Sequence, residues 1–266
     1  MRKFLNTILP YKKRREIRKI FDKNLQSISK KLNYRYKFTG VYCPYCKNYF
    51  KQFDDFGATI RQNSQCPVCK SLERHRMIYL FLKEKGLVFE NSKTIDLLHV
   101  APEKCIYDKI KYSNHIEYFP LDLYPDYYYY LNGPTLIKGD VTDLQFIDEK
   151  FDFIFCNHVL EHIPDDNKAM SELFRVLKKD GSAVLLVPID KQLLETYEDF
   201  SITDPKEREK AFGQDDHVRL YGKDYVNRLA TAGFKVSAID YWNTLSKRDR
   251  FKYGILENEL IYFVEK

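Results

Sequence analysis

The chain has 266 residues, with 44 Lys and Arg against 38 Asp and Glu for a formal charge of +6, a length that suits one α/β domain plus a small extra module. No run of eighteen apolar residues occurs, which excludes a membrane-spanning helix. The first ten residues hold too short an apolar stretch for a signal peptide, so a cytoplasmic location is expected.

The charge is unevenly placed. Residues 1–40 carry thirteen Lys or Arg against Glu16 and Asp22, a balance of +11, and the remainder is therefore 6 − 11 = −5. Within that arm Ile17, Ile20, Phe21, Leu25, Ile28 and Leu32 recur at helical spacing, predicting an amphipathic helix over 12–32 with basic outer faces. RNA or an anionic surface would suit such a face. Packing on its own domain or on a partner is the plainer reading and is slightly favoured, because charge runs are common and no aromatic residues interleave this one.

Six cysteines, at 43, 46, 66, 69, 105 and 156, fit a reducing compartment better than a disulfide framework. Four of them form Cys43-Pro-Tyr-Cys46 and, nineteen residues later, Cys66-Pro-Val-Cys69. Two such knuckles can place four thiolates around one tetrahedral Zn2+, a closed site that folds a module and leaves no position for catalysis. Tyr49, Phe50, Phe53 and Phe56 between them suit a β-ribbon. The second knuckle leads without a linker into a helix that ends at Gly86, and Arg74, His75 and Arg76 on its first turns either face an anionic substrate or solvate the helix.

Residues 94–100 read as an apolar strand, followed by Ala101-Pro102-Glu103 and a helix over 104–112. A second strand spans Ile116–Leu123 with Asp122 near its end; the tyrosines at 124 and 127–130 line a cleft or a surface hairpin. Residues 136–144 supply a third strand with Asp140 and Val141 at its polar end, and Asp143 reads as a turn cap. Phe151–Cys156 is a fourth, buried strand, followed by a turn at Asn157 and His158 and a helical turn stopped by Pro164. An amphipathic helix with Ala169, Met170, Leu173, Phe174 and Leu177 on one face comes next, with Gly181 as its expected left-handed cap, then a strand over 183–187. The charged connection 190–222 is long enough to be a lid. In it His217, Arg219 and Tyr221 alternate with Val218 and Leu220, sharing one face if extended. A helix over 223–232 and two strands, Phe234–Tyr241 and Leu260–Val264, close the chain.

The block Asp152–Cys156, Leu160-Glu-His-Ile-Pro-Asp165 and Arg175-Val-Leu-Lys-Lys-Asp-Gly181 resembles the second half of class I S-adenosylmethionine-dependent methyltransferases of the type 11 kind, with Asp180 in place of the first closing glycine. The resemblance extends over nearly the full length to a subfamily with an N-terminal four-cysteine zinc ribbon and a His-x-Ala-Pro-Glu first loop, here His99–Glu103. It implies an α/β, Rossmann-like seven-stranded sheet over residues 73–266 whose last two strands form an antiparallel edge hairpin, with a lid-like insertion at 190–222 and a zinc ribbon over 39–72; the basic helical arm occupies 1–38. It also implies S-adenosylmethionine as cofactor, held by His99, Ala101 and Glu103 on the methionine side, by Asp122 and Leu123 at the ribose, by Asp140 and Val141 at the adenine, and by Asn157 and His158 closing the cleft. The chain contains no Gly-x-Gly, which argues against a nicotinamide or flavin fingerprint and departs from the family's glycine-rich first loop.

Methyl transfer needs positioning and removal of a proton from the acceptor. His217 is the expected general base, beside Arg219 and Tyr221, with a histidine that merely holds a loop as an equal alternative. His158, Glu161, His162 and His217 partly resemble the Glu-x-x-Glu-His cluster of some metal-dependent RNA 2′-O-methyltransferases. Leu-Glu-His also occurs in methyltransferases without metal, so a structural role is preferred for them. The expected reaction is methylation of an O or N acceptor, a small molecule or saccharide, whose identity the sequence leaves open. An RNA methyltransferase, or a non-catalytic zinc-containing nucleic-acid-binding protein, is the alternative.

Overall fold

The computed structural model describes residues 36, 39–57, 60–89, 93–128, 131, 133–257 and 259–266. The basic helix expected over 12–32 lies outside them. The chain divides into two compact units.

One unit comprises the described residues up to Glu84 together with Lys104–Ile106 and Trp242–Glu259. Its strands form two antiparallel ribbons, β1 (Val41–Cys43) with β2 (Asn48–Phe50) and β3 (Asp54–Phe56) with β4 (Arg61–Gln65). Helix α1 (Glu73–Glu84) follows the second knuckle directly. Arg76, on the first turn of α1, is fully buried. Its guanidinium donates to the carbonyls of Ser64, Ser71, Tyr253 and Gly254 and stacks on Phe53 at 3.9 Å. His75 accepts from Leu72 N at 2.9 Å through Nδ1. Arg76 and His75 therefore serve neither an exposed anionic surface nor solvation of the helix: Arg76 joins β4 to the second knuckle and to residues 253–254, and His75 accepts from the backbone just before its own helix.

The other unit comprises Lys85–Glu103, Tyr107–Tyr241 and Leu260–Lys266. Its strands β5 (Ile95–Val100), β6 (Ile116–Asp122), β7 (Ile137–Lys138), β8 (Phe151–Asn157) and β9 (Leu177–Leu186) pair in parallel. The antiparallel strands β12 (Lys235–Ile239) and β13 (Ile261–Glu265) complete a seven-stranded sheet of order β12-β13-β9-β8-β5-β6-β7. Consecutive residues of β5 and β8, among them Leu97, Leu98 and His99 and then Phe153, Ile154, Phe155 and Cys156, are all buried, so both faces of these strands are covered.

The apolar face of α3 (Asp166–Val176) holds Ala169, Met170, Leu173 and Val176, and Asp165 caps it by accepting from Lys168 N. Helix α2 (Lys104–Ile110) follows β5. Two short helices, Tyr241–Thr244 and Lys247–Tyr253, lie between β12 and β13, so the last two strands are not joined by a simple hairpin turn.

Two expectations need correction. The third strand is only two residues long, because the chain turns at Gly139 and Asp140. Gly181 does not cap α3: the helix ends at Leu177 in extended backbone, β9 begins there, and the left-handed residue is Asp180 at φ 61°. Gly181 is needed for space, since a Cβ there would lie 2.8 Å from Lys178 O and 2.9 Å from Leu177 Cδ1.

Gly181→Ala should therefore destabilise the protein by about 1–3 kcal/mol through overpacking. Asp180→Gly should be nearly neutral, because relief of the left-handed backbone is offset by greater freedom of the unfolded chain. Urea unfolding of the two variants checks this ordering.

Candidate functional site

The carboxyl ends of β5, β6 and β8 lie side by side, the place where open α/β sheets bind ligands. The turn after β5 has to leave a buried strand abruptly. Ala101 adopts φ 48°, the conformation a glycine would favour, while its N–H continues the ladder to Leu121 O at 2.9 Å. His99, fully buried, is held at Nε2 by Glu103 at 2.8 Å and at Nδ1 by the Tyr118 hydroxyl at 2.9 Å. Burial pushes the Tyr118 phenol well above its ordinary pKa, which keeps it protonated. The loop thus keeps the backbone shape of a glycine turn with a His–Glu pair behind it.

Asp122 ends β6 with both oxygens engaged, Oδ1 by Tyr124 N at 2.7 Å and Oδ2 by the Tyr128 hydroxyl at 2.8 Å. A carboxylate has about four acceptor sites, so each oxygen retains capacity. Leu123 beside it is exposed. Tyr128 thus belongs to the site, while Tyr124 and Tyr127 are exposed and stack on each other at 5.6 Å. Asp140 Oδ1 accepts from the backbone and the hydroxyl of Thr142. Asp140, not Asp143, is therefore the turn-capping side chain. Val141 is buried next to it.

The loop that follows is anchored by Arg175, which donates to Leu144 O and Phe146 O, both at 2.8 Å, while Glu172 accepts from Leu144 N. The ion pair with Glu172 raises the pKa of Arg175 and lowers that of Glu172. Arg175 was read from the sequence only as part of a motif, and Glu172 was not singled out at all. Their spacing of three is the signal that they act together.

At the end of β8 Asn157 is 3% exposed, yet neither its Oδ1 nor its Nδ2 has a partner. An orphaned buried amide is costly unless a ligand meets it. His158 follows at φ 55° and donates its N–H to Leu186 O at 2.7 Å. Its Nδ1 lies 3.3 Å from Glu161 Oε1.

The connection 190–222 is folded. Strand β10 (Tyr197–Glu198) pairs with β11 (Arg219–Leu220), and the helix Pro205–Phe212 is capped by Asp204 at one end and by left-handed Gly213 at the other. It returns against the turn after β8: Val218 N donates to Glu161 O, and Arg219 donates to the carbonyls of Leu160, Ile163 and Pro164 and to Glu198. Tyr221 donates to Asp166 at 2.6 Å, and Arg228 donates to both oxygens of the same carboxylate. Burial, then the Asp166 charge, raises the Tyr221 phenol far above its ordinary pKa. Arg219 and Tyr221 are fully buried, so their polar atoms are committed to the loop. His217 is 3% exposed, with its ring 4.7 Å from that of His162. Burial lowers its pKa, favouring the neutral imidazole.

The four knuckle cysteines come together. Cys43 and Cys69 Sγ are 3.4 Å apart, Cys46 and Cys66 Sγ 3.7 Å, and all four lie within 4.8 Å of one another. Thiolates at about 2.3 Å from one zinc sit about 3.8 Å apart, so the donor set fits. Both knuckles end in a left-handed lysine, Lys47 at φ 55° and Lys70 at φ 62°, so the two turns close alike.

Residues 115–185 match the family described as "Methyltransferase domain". A demethylmenaquinone methyltransferase of Staphylococcus carnosus is 39% identical over 73 residues, 25% of this chain and 30% of that protein. A chloroplastic 2-methyl-6-phytyl-1,4-hydroquinone methyltransferase of Oryza sativa is 33% identical over 111 residues, 39% of this chain and 34% of that protein. The chain thus spans about a third of the length of these two relatives. Among solved structures, the Burkholderia thailandensis 1,6-didemethyltoxoflavin-N1-methyltransferase is 12% identical with a TM-score of 0.47, over 73% of this chain and 78% of that one.

Arg219→Met should destabilise the chain by about 3–5 kcal/mol, because three loop carbonyls and Glu198 lose one buried cation. Chemical denaturation measures it, and a loss below about 1 kcal/mol would contradict the role given to this side chain.

Proposed function

We propose that this chain is an S-adenosylmethionine-dependent methyltransferase acting on an O or N nucleophile of a small molecule. The observation that carries this reading is the methyltransferase-domain match over 115–185, which covers β6, β8 and most of β9 and so includes the sheet end where Asp122 and Asn157 sit. The two curated relatives act on quinone-type small molecules by name, which supports a small-molecule acceptor and says nothing for oxygen or nitrogen over carbon as the atom methylated.

The residues fit the cofactor on two counts, the glycine-like backbone at Ala101 and the orphaned Asn157 amide. Asp122 would take the ribose hydroxyls, with Leu123 against the sugar. Asp140 and Val141 would meet the adenine, and Asn157 and His158 would close the cleft. His99, Ala101 and Glu103 form the wall on the methionine side. When bound, the cofactor supplies an electrophilic methyl group on a sulfonium sulfur. The protein's part is to position the acceptor and remove its proton, and His217, whose Nε2 has no partner, is where that proton leaves. Arg219 and Tyr221 act as positioning residues that hold His217 against the turn after β8. A saccharide is one small-molecule acceptor of this class.

The four cysteines hold a structural Zn2+ that folds their module and takes no part in the chemistry. An RNA acceptor is the second reading, favoured by the +11 balance of residues 1–40; RNA binding measured across a salt series discriminates it.

Calorimetry with S-adenosylmethionine should show saturable binding, and Asp122→Ala should weaken it at least about tenfold, the loss of roughly 1.4 kcal/mol of hydrogen bonding to the ribose. Absence of binding to the wild-type chain at millimolar ligand would sink the reading. Cys46→Ser, or prolonged chelation, should release the zinc and melt the module, removing roughly 10 kcal/mol of metal-linked folding free energy; metal analysis and circular dichroism read the two effects.

A further inference from the structure

Around the turn after β8, three groups separated in sequence converge. Glu161, His162 and His217 each present one ligand atom, and these atoms lie within 4.8 Å of one another. The sequence alone favoured a structural role for them, in which each side chain would be satisfied by its neighbours. Two of the three are not. Glu161 is 1% exposed and its Oε2 has no partner, and His217 is 3% exposed and its Nε2 has none either. Leaving a buried carboxylate oxygen and a buried imidazole nitrogen unpaired at one point is costly, and a cation there satisfies both.

The tautomers agree. His217 Nδ1 lies 3.2 Å from Phe212 O and His162 Nδ1 lies 3.3 Å from Asp216 O. A carbonyl only accepts, so each Nδ1 carries the proton and each Nε2 keeps its lone pair. Histidines that bind metals are commonly set up in this way, with the second nitrogen donating to a carbonyl or carboxylate. His158 Nδ1, 3.3 Å from Glu161 Oε1, steadies the carboxylate from the other side.

We propose that Glu161, His162 and His217 form a second metal site for a divalent first-row transition ion, separate from the four-cysteine site. Two imidazoles and one carboxylate suit zinc, manganese or iron better than magnesium, which favours oxygen ligands and retained water. Ligands at about 2.0–2.2 Å from one ion lie roughly 3–3.5 Å apart, a closure that side-chain rotation can provide. Three protein ligands leave a coordination position open, as catalytic rather than structural sites do. The site rests on these side chains alone and stands or falls independently of the methyl-transfer reading. If both hold, an ion there would take the His217 lone pair and replace the histidine as the means of activating the acceptor: a hydroxyl bound at the open position would have its pKa lowered by the metal and would give its proton to solvent water.

The test counts metal on the full-length chain with no cofactor present. Titration with Co2+ separates the sites, because thiolate coordination gives intense charge-transfer absorption and a nitrogen–oxygen site only weak visible bands. The wild-type chain should bind two equivalents. His162→Gln, at a half-exposed position that does not threaten the fold, and His217→Gln should each bind one, with the thiolate bands unchanged. Saturation of the wild-type chain at one equivalent, or retention of the second equivalent by either variant, overturns the proposal.

Discussion

The residues after β8 must leave a strand buried on both faces, reverse within a few positions and still satisfy their backbone carbonyls. One guanidinium does most of this. Arg219 arrives from a segment more than fifty residues later, is itself fully buried, and takes the carbonyls of Leu160, Ile163 and Pro164. Its charge is balanced by Glu198 at 2.8 Å, with Asp166 at 3.7 Å. Asp166 in turn receives Tyr221 and Arg228, so one acid at the start of α3 fastens the return strand to the helix behind the turn. This arrangement fixes Glu161 and His162 on one side and delivers His217 on the other.

Elsewhere the sheet's carboxyl edge is built with few glycines. Ala101 and His158 there hold positive φ, at 48° and 55°. Left-handed backbone costs a non-glycine residue about 1–2 kcal/mol. The surroundings offset it: Ala101 N and His158 N both keep ladder bonds, to Leu121 O and Leu186 O. Side chains at such turns give up flexibility and gain groups that can contact a ligand. His99, fully buried beside the Ala101 turn, is held between Glu103 and Tyr118.

The cysteine module follows a parallel logic on its own scale. Two Cys-Pro-x-Cys turns close with the same left-handed lysine, and the sulfurs meet at distances a single tetrahedral ion would impose. Ser71 Oγ adds a polar neighbour 3.2 Å from Cys43 Sγ. Arg76 joins carbonyls of the ribbon, the knuckle and the segment near Tyr253 into one small core.

Much of this was legible without coordinates. Runs of apolar residues at 94–100, 116–123 and 151–156 marked three strands of the sheet, the three- and four-residue spacing of Ala169, Met170 and Leu173 marked the helix face, and the two equal cysteine pairs marked one cluster of four sulfurs. These are local patterns, and local sterics and burial read them directly. The end of α3, the shortness of β7 and the identity of the turn cap at Asp140 were not legible, because each depends on where the backbone turns, which apolar periodicity does not mark. Nor did the sequence reveal that Arg219 and Arg76 are interior anchors, since a charged residue reads as surface until its carbonyl partners are known. Above all, Glu161, His162 and His217 meet only because the chain returns after more than fifty residues and a buried guanidinium holds it there. Sequence determined which residues could do chemistry; tertiary packing decided which of them share one point, because burial removes the water that would otherwise have satisfied each one separately.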